Sequence, residues 1–318
     1  MTEQPLFVLG VRRSGTTLLR VMLDRSSAIA IPDESYFIPQ LAHRHSGTPV
    51  DADSFLDDVR RLSTLREWGL PASEVAERLR PGMTPGEAIG AIFAAYAGLQ
   101  GKERWGDKTP LYMQYLPLLE RTFPGARFVH LVRDGRDAAL SFLSVPRGIM
   151  TEGWGHPKDA AGFARLWRTE IESARALGRR VGPDRYLELR YEDLVREPAA
   201  ELARVCTFAG LQFEADMLDY VGRSDSARKP HQQRLNQPPT AGVRDWRTEL
   251  DQADEAAFEG TAGELLTALG YEVRSTDSPP ARARLELAAY RATTTAWRGA
   301  GYVMQRSPLW RRRHPPVV

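Results

Sequence analysis

Lysine is scarce in this chain: Lys102, Lys108, Lys158 and Lys229 are the only lysines among 43 basic residues. Arginine carries almost all the positive charge, a bias of GC-rich, typically bacterial, genomes, so each retained lysine is informative. Cysteine is scarcer still. Cys206 stands alone, which excludes an intrachain disulfide and a cysteine-based zinc site. No uncharged apolar run reaches ~18 residues; the nearest, Ala88 to Gly101, is too short to span a bilayer. No charged segment followed by a long apolar run opens the chain, so no signal peptide is expected and a cytoplasmic, reducing setting is the default. Net charge is only +2, so bulk electrostatics do not indicate nucleic acid. His43 and His45 have no metal-ligand pattern and read as surface residues. No internal repeat is visible.

What remains is 318 residues, 42% hydrophobic and 26% charged, enough for a sizeable core in one large domain or two small ones. The most informative stretch runs from Leu6 to Arg25. Leu6 to Leu9 read as a short buried strand, and Leu18, Leu19, Met22 and Leu23 share one helical face. Between them Gly10 to Thr17 form a small-residue turn. Strand, such a loop, then helix presents backbone N–H groups and a helix N-terminus to a phosphate. Gly10 and Gly15 have P-loop spacing, but Thr16 stands where that motif needs lysine. Arg12 and Arg13 supply charge inside the loop instead. A phosphate fits, the β/γ-phosphates of ATP less well; a tight turn with chance arginines is the plain alternative.

Ile29 to Ile31 predict a second short strand, followed by Pro32-Asp33-Glu34-Ser35 and a helical pattern from Tyr36. Asp33 is a candidate cap for that helix. Glu34 falls at a strand's carboxyl end, where parallel α/β sheets bind ligands, beside the first loop if the two strands are neighbours. A helix-start carboxylate favoured by the macrodipole is an equal alternative. Residues 51–100 read as a helical insert punctuated by Pro71, Pro81 and Pro85, a candidate acceptor-pocket wall or lid. Arg104 to Pro110 (RWGDKTP) is short and polar, placing Lys108 before a helix opened by Pro110 and running through Leu119. Arg127 to Val132 is a strand, then Arg133-Asp134-Gly135-Arg136-Asp137 leads into a helix. Arg133 and Ser141 are spaced to grip one phosphate, unless the turn merely pairs its own charges. A Gly-rich stretch from Pro146 to Pro157, a helix from Ala160, a strand from Arg185 to Tyr191, a helix from Ala200 and a polar loop from Arg223 to Asn236 follow. Gly242 to Arg247 leads into a helix from Asp251 to Leu269, and Leu285 to Met304 is one more. Alternating strands and helices imply α/β architecture with a parallel sheet covered on both faces. The basic tail Arg311-Arg312-Arg313 beside Leu309 and Trp310 suits weak contact with an anionic membrane surface; a packed or disordered tail is the favoured reading.

VRRSGTTLLRVMLD and RFVHLVRDGRDAALSF, some 115 residues apart, together resemble sulfotransferases that use 3′-phosphoadenosine 5′-phosphosulfate (PAPS). RWGDKTP, LRYEDLVREP and GVRDWR occur in that family's order, so the resemblance runs from Leu6 to about Tyr271. RSGTTLLRVMLD followed by an acidic segment is most similar to the tyrosylprotein sulfotransferases and their bacterial relatives. The resemblance implies a P-loop NTPase-like three-layer sandwich over residues 1–275, with a C-terminal helix and tail over 276–318. It further implies that Arg12, Arg13, Ser14, Gly15, Thr16 and Thr17 hold the 5′-phosphosulfate. Arg13 also reaches the sulfuryl group, Arg133 and Ser141 bind the 3′-phosphate, Tyr191 touches the adenine region, and Arg244 belongs to a late closing loop that lacks the family's common Arg-Lys-Gly opening. Lys108 sits on the leaving oxygen and Glu34 is the general base. Pro110 follows Lys108-Thr109 where other branches carry a catalytic histidine, and the catalytic serine of the tyrosylprotein branch has no clear match between Arg223 and Asn236. Transfer to a hydroxyl or amine without metal is the expected reaction. The acceptor is left open among small molecules, glycans, lipids and peptides, and so is the oligomeric state. A P-loop kinase and a non-catalytic nucleotide-binding protein are the competing readings.

Overall fold

The structure, a computed structural model, describes residues 4–145, 156–221, 245–274 and 281–313. The expected Gly-rich stretch lies almost wholly outside them, as do the polar loop at 223–236 and Arg244. Among the described residues the chain builds a five-stranded parallel sheet in the order β2-β3-β1-β4-β5. β1 (Leu6–Leu9) is apolar at every position because both its faces are covered, as a central parallel strand demands. Phe7 and Leu9 enter one core with Trp105, Phe123 and Phe128. Leu6 and Val8 enter the other with Leu19, Met22, Val129 and Leu189. The helices α1 (Thr16–Asp24) and, later, α11 (Pro198–Ala209) cover that second face.

β2 is brief, Ile29–Ala30, and it is an edge strand. β3 separates it from β1, so the two strands are not neighbours, and Glu34 meets the first loop through Lys108 at the end of β3 instead. α2 (Ile38–Arg44) starts later than its apolar pattern suggests and has no side-chain cap. Asp33, the candidate cap, pairs with Arg20 at 3.7 Å instead. The insert folds as α3 (Ala52–Val59), α4 (Ser63–Glu67), α5 (Ala72–Ala76) and α6 (Pro85–Leu99). α4 went unforeseen, being too short to show a period. Asp51 caps α3, and Thr84 with Glu87 forms a reciprocal capping box on α6. Phe55, Val75, Ile92 and Phe93 join the first core, so the insert shares the sheet's own packing.

The polar segment RWGDKTP contains β3 (Arg104–Asp107), a strand that sequence pattern concealed. Its strand character rests on one aromatic: Trp105 is 4% exposed and stacks on Phe93 at 4.6 Å. Gly106 lies against the carbonyl of Leu6, where a Cβ would approach to 2.7 Å. Beyond β3 comes a 3₁₀ turn, Pro110–Gln114, and then α7 (Leu116–Thr122), in place of one continuous helix. β4 (Arg127–Val132), α8 (Gly135–Leu143), α9 (Ala160–Val181), β5 (Tyr186–Arg190), α10 (Tyr191–Arg196) and α11 (Pro198–Ala209) follow. α12 (Trp246–Glu249), α13 (Gln252–Ala268), α14 (Ala281–Arg306) and α15 (Pro308–Arg313) complete the described chain.

α14 lies across α2, α9 and α13, held chiefly by polar ties. Arg165 pairs with Glu286 at 2.9 Å, Arg298 donates to the Gln114 carbonyl at 2.8 Å, and Arg44 donates to Gln305 at 3.2 Å. His43 and His45 are buried rather than on the surface, His43 under this cover and His45 against Phe55 and Asp58 of α3. His43 meets the edge of Tyr302, and burial pushes its imidazole down to about 4. His45 lies 2.9 Å from Asp58. Among the described residues no helix is long and apolar enough to cross a membrane.

Gly86 of α6 abuts the carbonyl of Thr122, which a Cβ would approach to 2.0 Å. Gly86→Ala is therefore expected to lower stability by about 1–3 kcal/mol through overpacking. Gly299→Ala, in open space on α14, should raise it by up to about 1 kcal/mol. Paired urea unfolding curves measure both.

Candidate functional site

β1 sits between β3 and β4, so the crevice where strand order reverses opens above the loop that follows it. Three strand ends deliver side chains there: the loop after β1, Lys108 after β3, and Arg133 after β4. The β1 loop is shaped by two left-handed residues, Arg13 at φ 72 and Gly15 at φ 88. Such alternation turns successive N–H groups inward as an anion nest, and α1 adds the unsatisfied N–H groups of its first turn. Gly15 is obligatory twice over. Its φ is left-handed, and a Cβ would lie 2.4 Å from the Tyr191 ring.

The loop is braced from α8 and α10. Arg13 Nε donates to Ser141 Oγ at 3.0 Å. Arg133 Nη1 donates to the Arg13 carbonyl at 3.2 Å, and the Arg133 guanidinium lies 4.6 Å from the centre of the Tyr191 ring. Arg13, Arg133, Ser141, Gly15 and Tyr191 thus form one cluster. Among the described residues, the buried Ser14 Oγ of the loop and Arg133 Nε of this cluster have no hydrogen-bond partner. A hydroxyl and a guanidinium N–H left over beside a nest are donors suited to phosphate or sulfate oxygens, so the donor set fits a bound phosphosulfate. Thr16 opens α1 and is buried, while the field of Arg12 is felt at Tyr36, Glu170 and Tyr290.

Lys108 is fully buried. Its Nζ donates to Glu34 Oε1 at 2.6 Å and to Thr17 Oγ1 at 3.3 Å, which joins the end of β3 both to the loop and to the segment after β2. The other Glu34 oxygen accepts a bond from Tyr36, a residue in the left-handed region at φ 57. Burial works to raise the Glu34 pKa, but the charge and hydrogen bond of Lys108, with the Tyr36 hydroxyl, hold it below the ordinary carboxylate value. Glu34 is therefore an anion at neutral pH. Burial raises the Tyr36 phenol, and Glu34 raises it further.

The flank carrying Arg133 and Ser141 is anchored by Arg136, which is fully buried. Arg136 pairs with Asp134 at 2.8 Å and Glu259 at 2.6 Å, and lies 3.5 Å above the Trp246 ring. The charges of Arg133 to Asp137 do pair within their own turn, then, but through Arg136 and Asp134, leaving Arg133 turned to the loop. Trp246 N–H donates to Asp137 at 2.9 Å, so the described end of the GVRDWR segment is locked to α8. Sequence reasoning passed over Ser35, Tyr36, Asp107 and Tyr112, all close around Glu34 and Lys108. Their available signal was adjacency: each lies within four residues of Glu34 or Lys108. Among the described residues no group of three or more His, Cys, Asp or Glu side chains gathers as a metal site.

A family model described as Sulfotransferase family matches residues 5–215. A putative protein-tyrosine sulfotransferase of Caenorhabditis briggsae is 25% identical over 220 residues, covering 69% of each chain. The Drosophila melanogaster protein-tyrosine sulfotransferase is 27% identical over 224 residues, covering 69% of this chain and 40% of that one. Nodulation protein NoeE of Sinorhizobium fredii is 26% identical over 304 residues, covering 84% of this chain and 65% of that one. The chain thus spans between two fifths and about two thirds of the length of these relatives. Among solved structures, the sulfotransferase domain of the curacin biosynthetic pathway superposes with a TM-score of 0.57 at 20% identity, covering 85% of this chain and 99% of that one. The sulfotransferase domain of the Synechococcus olefin synthase gives 0.51 at 22% identity, covering 91% and 96%. Both share the fold.

Beyond the loop, Glu170 of α9 lines a cavity of about 20 Å³ with Gln114, Tyr290 and Arg298, and among the described residues its Oε2 has no hydrogen-bond partner. Burial pushes its carboxyl up to about 7 against the opposing pull of Arg12. The folded state therefore holds a proton that the unfolded chain releases near 4.5, and stability falls as pH rises from about 4.5 through about 7. Glu170→Gln removes that slope. It is expected to match wild type near pH 4 and to exceed it by on the order of 2 kcal/mol at pH 8, read from urea midpoints across the range.

Proposed function

The chain belongs to the sulfotransferase family, and from that premise we propose that it moves a sulfuryl group from PAPS to a hydroxyl or amine acceptor. The observation that carries this reading is the contact of Lys108 with Glu34 at 2.6 Å and Thr17 at 3.3 Å, which sets a cation and a carboxylate at the mouth of an anion nest. PAPS supplies an activated sulfuryl group on a phosphate leaving group. The chain's residues then need only bind, orient and move one proton.

In this reading the N–H groups of the loop, the Ser14 hydroxyl and the Thr16 and Thr17 hydroxyls hold the 5′ end of the donor. Arg12 adds charge at the loop's edge. Arg13, fixed on Ser141, faces the sulfuryl oxygens. Arg133 and Ser141 read the 3′-phosphate and Tyr191 lies under the adenine region; Arg244, the remaining donor-binding candidate, lies outside the described residues. A sulfuryl group in flight gathers charge on its leaving oxygen as a phosphoryl group does, and Lys108 answers that charge electrostatically. An ammonium has three donors. Two are engaged by Glu34 and Thr17, and the third serves the leaving oxygen. As Lys108 turns toward that oxygen, its hold on Glu34 weakens and the carboxylate becomes a stronger base. The acceptor hydroxyl replaces the Tyr36 hydroxyl on Glu34 Oε2 and gives up its proton there. A tyrosine-bearing peptide is the first acceptor class to test, because relatives bear the name protein-tyrosine sulfotransferase.

The test is incubation with PAPS and an acceptor panel, read as a mass gain of one SO₃ unit. Transfer should survive EDTA, since Arg13 and Lys108 carry the cationic role. ATP turnover that needs Mg²⁺ would favour a kinase. Glu34→Gln keeps the shape and an acceptor for Lys108 but cannot take the proton. It is expected to lower turnover by ~10²–10⁴ with donor binding nearly unchanged. Turnover within about threefold of wild type in a folded Glu34→Gln protein would move the base elsewhere.

A further inference from the structure

Glu34 stands on a segment that the sheet does not hold. β2 pairs with β3 only through Ile29 and Ala30, so the ladder ends before the residues that carry the carboxylate. The first part of that segment is tied to α1, by Arg20 to the Ile31 carbonyl at 2.8 Å and by Asp24 to the Ile31 N–H at 2.8 Å. At Ser35 side chains take over the task of the missing ladder. Ser35 N–H donates to Thr109 Oγ1 at 3.0 Å. Ser35 Oγ donates to Asp107 Oδ2 at 2.7 Å, and Thr109 Oγ1 donates to the same oxygen at 3.1 Å. Tyr112 OH lies 2.7 Å from Ser35 Oγ and accepts from Ile38 N–H at 3.1 Å. The donors have one consistent direction, from Ile38 through Tyr112 and Ser35 to the Asp107 carboxyl. Ser35, Asp107, Thr109 and Tyr112 are each 2% exposed or less, so water does not compete for these bonds.

Ser35 directly follows Glu34, and Asp107 directly precedes Lys108. A bond between the first pair therefore sets the distance between the second. The next residue, Tyr36, holds a left-handed φ of 57, unfavourable for a bulky side chain and persistent only where the surroundings impose it. Ser35, pinned at both its N–H and its hydroxyl, imposes it, and Tyr36 is thereby folded back onto Glu34. We propose that Ser35 and Asp107 are positioning residues: their bond fastens the Glu34 segment to the end of β3 and so holds the carboxylate on Lys108. Neither needs to touch donor or acceptor. The importance of this for catalysis rests on Glu34 being the base, but the positioning itself does not.

The test is the Glu34 titration, read by carboxyl ¹³C NMR on labelled full-length protein. Lys108 faces Glu34 from the end of β3, with Asp107 beside it, whose carboxyl burial pushes up to about 7 so that it is uncharged where Glu34 titrates; Tyr36 and Asp33 face Glu34 from its own segment, with Arg12 beyond Tyr36. Of these Lys108 is the cation in direct contact. Cutting the tie in Ser35→Ala is expected to let the carboxylate drift from Lys108 and to raise its pKa. The acid limb of kcat/KM moves up with it, kcat falls at least ~10-fold, and affinity for 3′,5′-adenosine bisphosphate stays within ~2-fold. Asp107→Ala behaves the same way. Asp107→Asn retains an oxygen for Ser35 and Thr109 and should keep the Glu34 titration close to wild type. Asp107→Ala, which takes away the acceptor of the Ser35 hydroxyl, is the second route should Ser35→Ala fail to fold. An unchanged Glu34 titration in folded Ser35→Ala, or in folded Asp107→Ala, overturns the proposal. Full turnover in Glu34→Gln together with a shifted titration in Ser35→Ala overturns the base and leaves the positioning standing.

Discussion

The arrangement of this site depends on one ion pair, Lys108 with Glu34. The ammonium is fully buried and the carboxylate partly so, its side chain 19% exposed. A charge taken out of water this far is tolerated only with a close partner, and removing one member of such a pair typically costs about 3–5 kcal/mol because the other is left stranded. The pair thus ties the end of β3 to the segment after β2 by necessity as much as by function. Thr17 brings the loop after β1 to the same ammonium. Three stretches more than seventy residues apart at the extremes converge on one cation.

The cradle beside it is made mostly of backbone. A lysine in the loop is the usual way to hold nucleotide phosphates. Here Thr16 occupies that position, and the cation arrives from another strand. Left-handed turns at Arg13 and Gly15 aim N–H groups inward, while Arg133 and Tyr191 brace the loop from behind. Arg136, buried on Trp246 between Asp134 and Glu259, holds α8 so that Ser141 meets Arg13. A geometry this dependent on backbone shape tolerates varied sequence elsewhere, consistent with relatives only 25–27% identical.

The outline of the fold was legible because its signals are local. Leu6–Leu9 and Arg127–Val132 are short apolar runs with turn residues after them, and the long helices at Ala160 and Gln252 have clear caps or periods. β3 was not legible: a strand of Arg, Trp, Gly and Asp carries no alternation, and its place in the sheet is decided by Trp105 packing on Phe93 and by the approach of Gly106 to Leu6. His43 misreads for a related reason, since Tyr302 of the helix that covers it lies some 250 residues away and burial by a distant element leaves no local trace, while His45 is buried against Phe55 and Asp58 of the next helix. At the site, Glu34 and Lys108 stood out as residue types in suggestive places. Their partnership did not, because it runs through Ser35, Asp107, Thr109 and Tyr112. Those are ordinary polar residues until tertiary structure removes them from water.

The measurement that bears most directly on the account needs no knowledge of the acceptor: calorimetric titration of the full chain with 3′,5′-adenosine bisphosphate and with AMP. The two ligands differ by the one phosphate assigned to Arg133 and Ser141. If the loop cradles a 3′-phosphorylated donor, the bisphosphate binds at least ~10-fold tighter, the value of one lost charge-assisted contact, and Arg133→Ala erases most of the difference. Equal affinities for the two ligands would contradict it.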